Sequence, residues 1–261
     1  METIYLVSIF FIFSYKNTIF NKMENRIEVV ISSREVKENK TEFLENVQET
    51  CGCECNINYV YNPDGASLTS VYNKYIVPND ESSDIVVFIH DDIEFLRYGW
   101  GKRLIELFEN NEEYGIIGVA GSAQFDEKGT WWTYDKKYGQ VLHRKNGNSW
   151  LSTFSPLLEK DLEEVCVIDG LFMAVHKRRI SQKFDEKFKG FNHYDTSFCL
   201  ANYIDAETRI GVTTDIRIAH SSIGETKQNF FDNLILLNSL YHEYYPIDVE
   251  EDNKLDELGK L

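Results

Sequence analysis

Short β-branched runs alternate with charged, helix-length stretches over residues 26–122. Arg26 to Ser32 (RIEVVIS) has the length and composition of a buried strand. Residues 36–50 place Phe43, Leu44 and Val47 among charges, as an amphipathic helix does, and Gly52 stands just past the end as a C-cap. Asn56 to Tyr61 (NINYVY) predicts a second strand, stopped by the turn signal Asn62-Pro63-Asp64-Gly65. Residues 67–76 predict a helix with Ser67 as N-cap. Asp84 to Ile89 (DIVVFI) is continuously apolar, the pattern of a central parallel strand covered on both faces. It runs straight into His90-Asp91-Asp92. A short helix over Trp100–Phe108 and a strand over Gly115–Ala120 complete the alternation. Strand and helix in turn predict an α/β, doubly wound parallel sheet.

The rhythm breaks over residues 123–165, which are rich in Trp, Tyr, Gly and Lys. Strand character returns at 164–175 (EVCVIDGLFMAV), a loop then a helix at 190–202, a strand at 209–219 ending at His220, and a helix at 227–245. No internal repeat is present. Residues 1–22 stand apart. Ile4 to Phe13 is a ten-residue apolar run broken by Ser8, against the roughly 20 residues that a span needs. It lacks the basic n-region and cleavage site of a signal peptide. Met23 opens a natural domain start. Residues 1–22 are therefore read as an extension outside the fold, with a weak membrane-associating segment as the second reading. One domain is expected over 23–225, and a C-terminal helix with an acidic tail over 226–261.

Composition narrows the classes. Four Pro and 15 Gly exclude collagen-like and low-complexity chains, and 43% hydrophobic residues exclude disorder. The length of 261 residues suits one large or two small domains. A net charge of −16 excludes a broad nucleic-acid or anionic-lipid footprint, so no nucleic-acid partner is expected. The same charge requires that any phosphate-bearing ligand be offset locally. Five Cys, an odd number, suggest reduced thiols and an intracellular setting. Cys51, Cys53 and Cys55 would share one face of a strand and suit a soft metal. No Cys/His pair follows at zinc spacing, and small residues in a turn and strand are the preferred reading.

In open α/β sheets, ligands sit beyond the carboxyl ends of the strands. That rule selects Ser32-Ser33-Arg34, Asn62 to Gly65, His90-Asp91-Asp92 and Gly121-Ser122. Adjacent carboxylates behind a buried strand are costly unless paired or metal-bound. A hard divalent cation takes carboxylate oxygens and bridges phosphates. The structural alternative is a solvated turn whose Asp caps the next helix.

Seven segments occur in order: VVISSRE (29–35), SLTSVYNK (67–74), DIVVFIHDDIEF (84–95), YGIIGVAGS (114–122), VIDGLFMAVHKRRI (167–180), FDEKFKGFNHYDTSFCLANY (184–203) and IGVTTDIRIAHSSIG (210–224). Together they resemble the GT-A-fold nucleotide-sugar glycosyltransferases, family 2 and the glycosyltransferase-like group. The resemblance implies a GT-A-type Rossmann-like domain with a central, mostly parallel sheet, helices on both faces and a small antiparallel addition. It implies metal-dependent, inverting transfer of a sugar from a nucleotide-diphosphate donor, UDP-linked, to a glycan or lipid-linked acceptor, as in polysaccharide biosynthesis. Mn²⁺ or Mg²⁺ is the implied cofactor. The expected location is cytoplasmic, with the inner face of a membrane as the second reading.

Carried onto this chain, His90-Asp91-Asp92 occupies the DxD position, with His90 where the family has Asp. Asp92 and His220 become metal ligands, and Asp91 contacts the ribose or assists the metal. Asp195 becomes the base that takes the acceptor proton, compatible with an N-cap role, and Asp185 is a weaker competitor. Ser32, Ser33, Arg34, Asn62, Asn73, Lys74 and His90 fall on the donor side, and Asp64 joins Asn62 near the base. Asp169, Gly170, Trp132, His193 and Tyr194 fall on the sugar or acceptor side. Trp131, Trp132 and Trp150 read equally as sugar platforms or core, with core preferred for one of the adjacent pair. His143 and His176 receive no role. A non-catalytic sugar- or nucleotide-binding relic and a metal phosphohydrolase built on His90-Asp91 are the competing classes.

Overall fold

The computed structural model describes residues 27–77, 83–155, 160–206, 208–222 and 228–253. The extension 1–22 and most of the acidic tail lie outside them. The first half runs β1 (Ile27–Ser33), α1 (Thr41–Cys51), β2 (Cys55–Tyr61), α2 (Leu68–Tyr72), β3 (Ile85–Ile89), β4 (Ile93–Phe95), α3 (Trp100–Asn110), β5 (Tyr114–Gly118) and β6 (Ala120–Ser122). The second runs β7 (Gln124–Phe125), β8 (Lys137–Lys145), β9 (Asn148–Thr153), β10 (Glu163–Val165), β11 (Val167–Ile168), β12 (Phe172–His176), α4 (Tyr194–Ala206), β13 (Arg209–Val212), β14 (Ile218–His220), α5 (Gln228–Tyr241) and β15 (Ile247–Asp248).

Every residue of β3 and β5 is buried, which explains their unbroken apolar character: both sheet faces are covered. They belong to a seven-stranded sheet of order β10-β13-β5-β12-β3-β1-β2. The sheet is mixed. β1 with β2, β1 with β3 and β13 with β5 are parallel, whereas β12 inserts antiparallel between β3 and β5, and β10 lies antiparallel on β13. The mostly parallel sheet expected from the alternation and the resemblance is not found: parallel and antiparallel pairs are equally represented in it. Periodicity reports that a segment is a strand, not which way it runs. The mixed α/β architecture is compatible with a GT-A-like fold. α3 buries Trp100, Leu104, Ile105, Leu107 and Phe108 at helical spacing, and α1 ends at Gly52 in the left-handed region (φ 77°).

A second sheet has the order β11-β6-β8-β14-β4, with β9 paired to β8. β7 and β15 form a separate antiparallel ribbon. This sheet accounts for the broken rhythm after residue 122. β8 and β9 are a hairpin joined by Asn146-Gly147, both at positive φ (53° and 77°), the backbone of a type I′ turn. A Cβ at Gly147 meets nothing within 4 Å. Gly147→Ala is therefore expected to lower stability by about 1 kcal/mol through backbone strain alone, read as a shift in the urea midpoint at unchanged slope. Two further sequence readings change. The single strand expected over 164–175 is three, interrupted at Cys166 and at Asp169-Gly170-Leu171, and the strand over 209–219 divides between the two sheets as β13 and β14.

Candidate functional site

Register brings the strand-end residues together. β1 pairs with β3 so that Ile31 faces Ile89, which sets Ser32 and Ser33 beside His90 and Asp91. β12 pairs Phe172 with Ile89, and the next step along is a hydrogen bond from His90 N–H to the Leu171 carbonyl at 3.1 Å. In the second sheet β14 pairs His220 with Ile93, and Ser221 N–H donates to the Asp92 carbonyl at 3.0 Å. His90, Asp92 and His220 thus converge, with one ligand atom from each lying within 4.8 Å of the others.

His220 Nε2 is 3.2 Å from Asp92 Oδ1 and 3.1 Å from Ser222 Oγ. Burial works against charge on both partners, yet their mutual hydrogen bond and attraction win. The His220 pKa rises and the Asp92 pKa falls well below the usual carboxylate range. His90 moves the other way: desolvation, followed by repulsion from His220, lowers its pKa. Its Nε2 lies 3.3 Å from the hydroxyl of Tyr194.

Asp91 projects elsewhere. Its carboxylate accepts from Ser33 Oγ and lies 3.5 Å from Lys40 Nζ, which also donates to the Asp91 carbonyl at 3.1 Å and pairs with Glu35 at 2.9 Å. Burial opposes charge on Lys40, but Glu35 and Asp91 outweigh it and raise its pKa. The turn at Asp91-Asp92, between the ends of β3 and β4, places His90, rather than Asp91, with Asp92 and His220.

Asp195 sits in the first turn of α4. Its Oδ2 accepts from Gly170 N–H at 2.7 Å and its Oδ1 from Thr196 N–H at 2.8 Å. Desolvation, reinforced by the Asp169 charge, pushes its pKa from 3.8 up to about 7 despite those two donors. Asp169 uses Oδ1 to hold Leu171 N–H at 2.9 Å. Tyr194 is buried and donates to the Gly170 carbonyl at 3.1 Å, so one phenol joins His90 to the loop that carries Asp195. A Cβ at Gly170 would overlap the Tyr194 hydroxyl and come within 3.0 Å of Asp195 Oδ2. Gly170→Ala is expected to cost about 1–3 kcal/mol in unfolding free energy from overpacking and to displace both side chains. Urea unfolding and Tyr194 ring shifts check it.

The other candidates divide. Asn62 is consumed locally: its side chain donates to Ser32 Oγ (3.1 Å) and closes the turn through the carbonyl and N–H of Ala66. Asn73 holds the backbone of Phe184 through donor and acceptor alike, and Glu186 as well. Lys74 is exposed. Arg34 lies over the Phe191 ring at 4.9 Å, linking the end of β1 to the loop before α4. His193 is buried at positive φ (56°) against Phe230, its ring 4.4 Å away. Trp131 is core and Trp132 is 44% exposed.

Three residues outside the sequence reading join the site. Lys40 holds Asp91, and Ser222 touches His220. His143, left without a role, lies 6.1 Å from the His220 ring and stacks on Trp150 at 5.3 Å. The β8–β14 register pairs His143 with His220.

A family model described as a glycosyltransferase-like family matches residues 27–232. No curated protein matches the chain significantly. Solved structures similar to it include A197 from STIV, at 12% identity over 77% of this chain and 97% of that one, with a TM-score of 0.40. Another is 4-diphosphocytidyl-2C-methyl-D-erythritolsynthase from Anaerococcus prevotii DSM 20548, at 11% identity over 84% and 98%, with a TM-score of 0.30. Among the described residues, no helix is long and apolar enough to cross a membrane.

Proposed function

The chain belongs to a glycosyltransferase-like family, and from that premise we propose that it is a metal-dependent, inverting glycosyltransferase. It moves a sugar from a nucleotide-diphosphate donor, UDP-linked, to a hydroxyl of a glycan or lipid-linked acceptor. The observation that carries the reading is the convergence of His90, Asp92 and His220 within 4.8 Å, joined through Tyr194 and Gly170 to the carboxyl of Asp195.

The donor set fits a divalent cation. Two imidazole nitrogens and one carboxylate oxygen suit Mn²⁺ better than Mg²⁺, which favours oxygen ligands and retains its waters. When bound, the cation would neutralise the diphosphate and the negative charge growing on the leaving nucleotide. Lys40 holds Asp91 for a ribose contact. Asp195 accepts the proton of the acceptor hydroxyl as that oxygen attacks the anomeric carbon from the face opposite the leaving diphosphate. The bond to the diphosphate oxygen breaks, and the nucleoside diphosphate departs with the electron pair.

An Asp195 pKa of about 7 sets a pH profile. Below it the base is protonated, so kcat/KM should rise with pH and level off above about 7. The same shift has a stability consequence. The folded state retains a proton that the unfolded chain gives up near 3.8, so its stabilising contribution is complete below that value and disappears as pH rises towards 7. Asp195→Asn should therefore gain stability relative to the parent at pH 8 compared with pH 4, as urea titrations at the two values would show.

A thermal-shift screen of nucleotide-diphosphate sugars with and without Mn²⁺ tests the reading. The expected result is a donor-dependent rise in Tm that requires the metal. Donor binding without turnover would favour a sugar-binding relic, and hydrolysis of phosphate monoesters would favour a phosphohydrolase.

A further inference from the structure

The sequence Cys51-Gly52-Cys53-Glu54-Cys55 spans the end of α1 and the start of β2. Gly52, at φ 77°, reverses the chain so that Cys53 returns over Cys51, and their sulfurs stand 3.5 Å apart. The Cys55 sulfur lies 3.9 Å from Gln48 Oε1. Cys51 is fully buried, whereas Cys53 and Cys55 are half-buried. Both sulfurs of the close pair rest on the backbone of α3 at Gly101, where a Cβ would overlap Cys51 Sγ and come within 3.0 Å of Cys53 Sγ. Beside them, a groove of about 600 Å³ between α1 and β2 is lined by Lys37, Glu38, Leu44, Glu45, Gln48 and Cys55 among others.

We propose that these three thiols form a thiol–disulfide exchange site for low-molecular-weight peptide disulfides of the glutathione type, closing a reversible Cys51–Cys53 disulfide. The groove admits the disulfide to Cys55, and the buried pair receives the oxidation. Cys55 is the entry sulfur because it alone of the three lines the groove; Cys51 beside it also lowers its pKa, while the Cys53 thiol is raised by its bond to Cys51 and by burial. Attack depends on the thiolate.

The exchanges balance one at a time. The Cys55 thiolate attacks one sulfur of the disulfide, forms a mixed disulfide and expels one small thiolate. Cys51 attacks the Cys55 sulfur and expels the second small molecule, its own proton passing to that leaving thiolate. Cys53 then attacks Cys51 and releases Cys55, the thiol of lowest pKa of the three and so the fastest leaving group, the Cys53 proton passing to the Cys55 sulfur. In sum, two protein thiols become one disulfide and one small disulfide becomes two thiols. Cys166 and Cys199 are fully buried with raised pKa values and take no part.

Incubation of the full chain with oxidised glutathione, followed by intact mass and fragment mapping, tests the proposal. The expected product has lost two hydrogens, carries the bond between Cys51 and Cys53, leaves Cys55 free and is restored by dithiothreitol. Cys55→Ser should reach the same bond about tenfold more slowly, and Cys53→Ser should never form it. An unreactive native protein, a lasting glutathione adduct on the parent chain, a bond that excludes Cys51, or Cys55→Ser oxidising at the parent rate would each overturn it.

Discussion

Asp195→Asn is expected to lower sugar transfer by about 10²–10⁴-fold, the range lost with a positioned general base, while donor affinity stays within about twofold. The amide preserves size and an acceptor oxygen for Gly170 N–H, the 2.7 Å bond that orients the carboxylate. It cannot take a proton. The loss should appear in kcat and kcat/KM together, the signature of an interaction made in the transition state. The pH dependence below about 7 should vanish in whatever activity remains, which separates loss of the base from loss of fold. Transfer at the parent rate would remove Asp195 from the mechanism.

Asp92→Asn is the second large effect and strikes binding instead of proton transfer. Asp92 supplies the sole carboxylate of the group formed with His90 and His220. Disturbing a ligand's supporting partner already costs 10–100-fold in metal affinity. Removal of the anionic ligand should exceed about 100-fold, and donor affinity should fall with it. The substitution also breaks the 3.2 Å pair with His220. Because that pair raises the His220 pKa against burial, the variant's His220 should titrate at lower pH, visible by NMR without metal or substrate. Calorimetric titration with Mn²⁺ measures the affinity directly, and unchanged affinity would show that the three side chains hold no cation.

The parts of this protein that were legible in the sequence are those fixed by local pattern. Ile85–Ile89 could only be a strand covered on both faces, and a strand-end acid pair follows at once. That combination pointed to the candidate site. Its membership was less legible. Whether His90 or Asp91 joins Asp92 depends on which side of the chain each residue faces, and the turn after β3 decides that. His220 reaches Asp92 only through the β4–β14 pairing, and His143 reaches His220 only through β8–β14. Such registers join segments distant in sequence and leave no periodic trace. Asn73 shows the converse. The resemblance placed it on the donor side, whereas both ends of its amide are committed to Phe184. Gly170 was assigned to the sugar or acceptor side, and the groups that crowd its Cα are the Tyr194 hydroxyl and the Asp195 carboxylate.

The net charge of −16 gains a physical reading from the same geometry. Asp91 is already balanced by Lys40, and Asp92 by His220. A cation displacing the His220 proton would add the positive charge that a nucleotide diphosphate requires. The central claim is therefore tested most directly by release of nucleoside diphosphate from the donor identified in the screen, followed with acceptor in Mn²⁺, in Mg²⁺ and after chelation. The account predicts turnover that is fastest with Mn²⁺, abolished by chelation and restored when Mn²⁺ is added back. Turnover indifferent to chelation, or no release with any donor that binds, would contradict it.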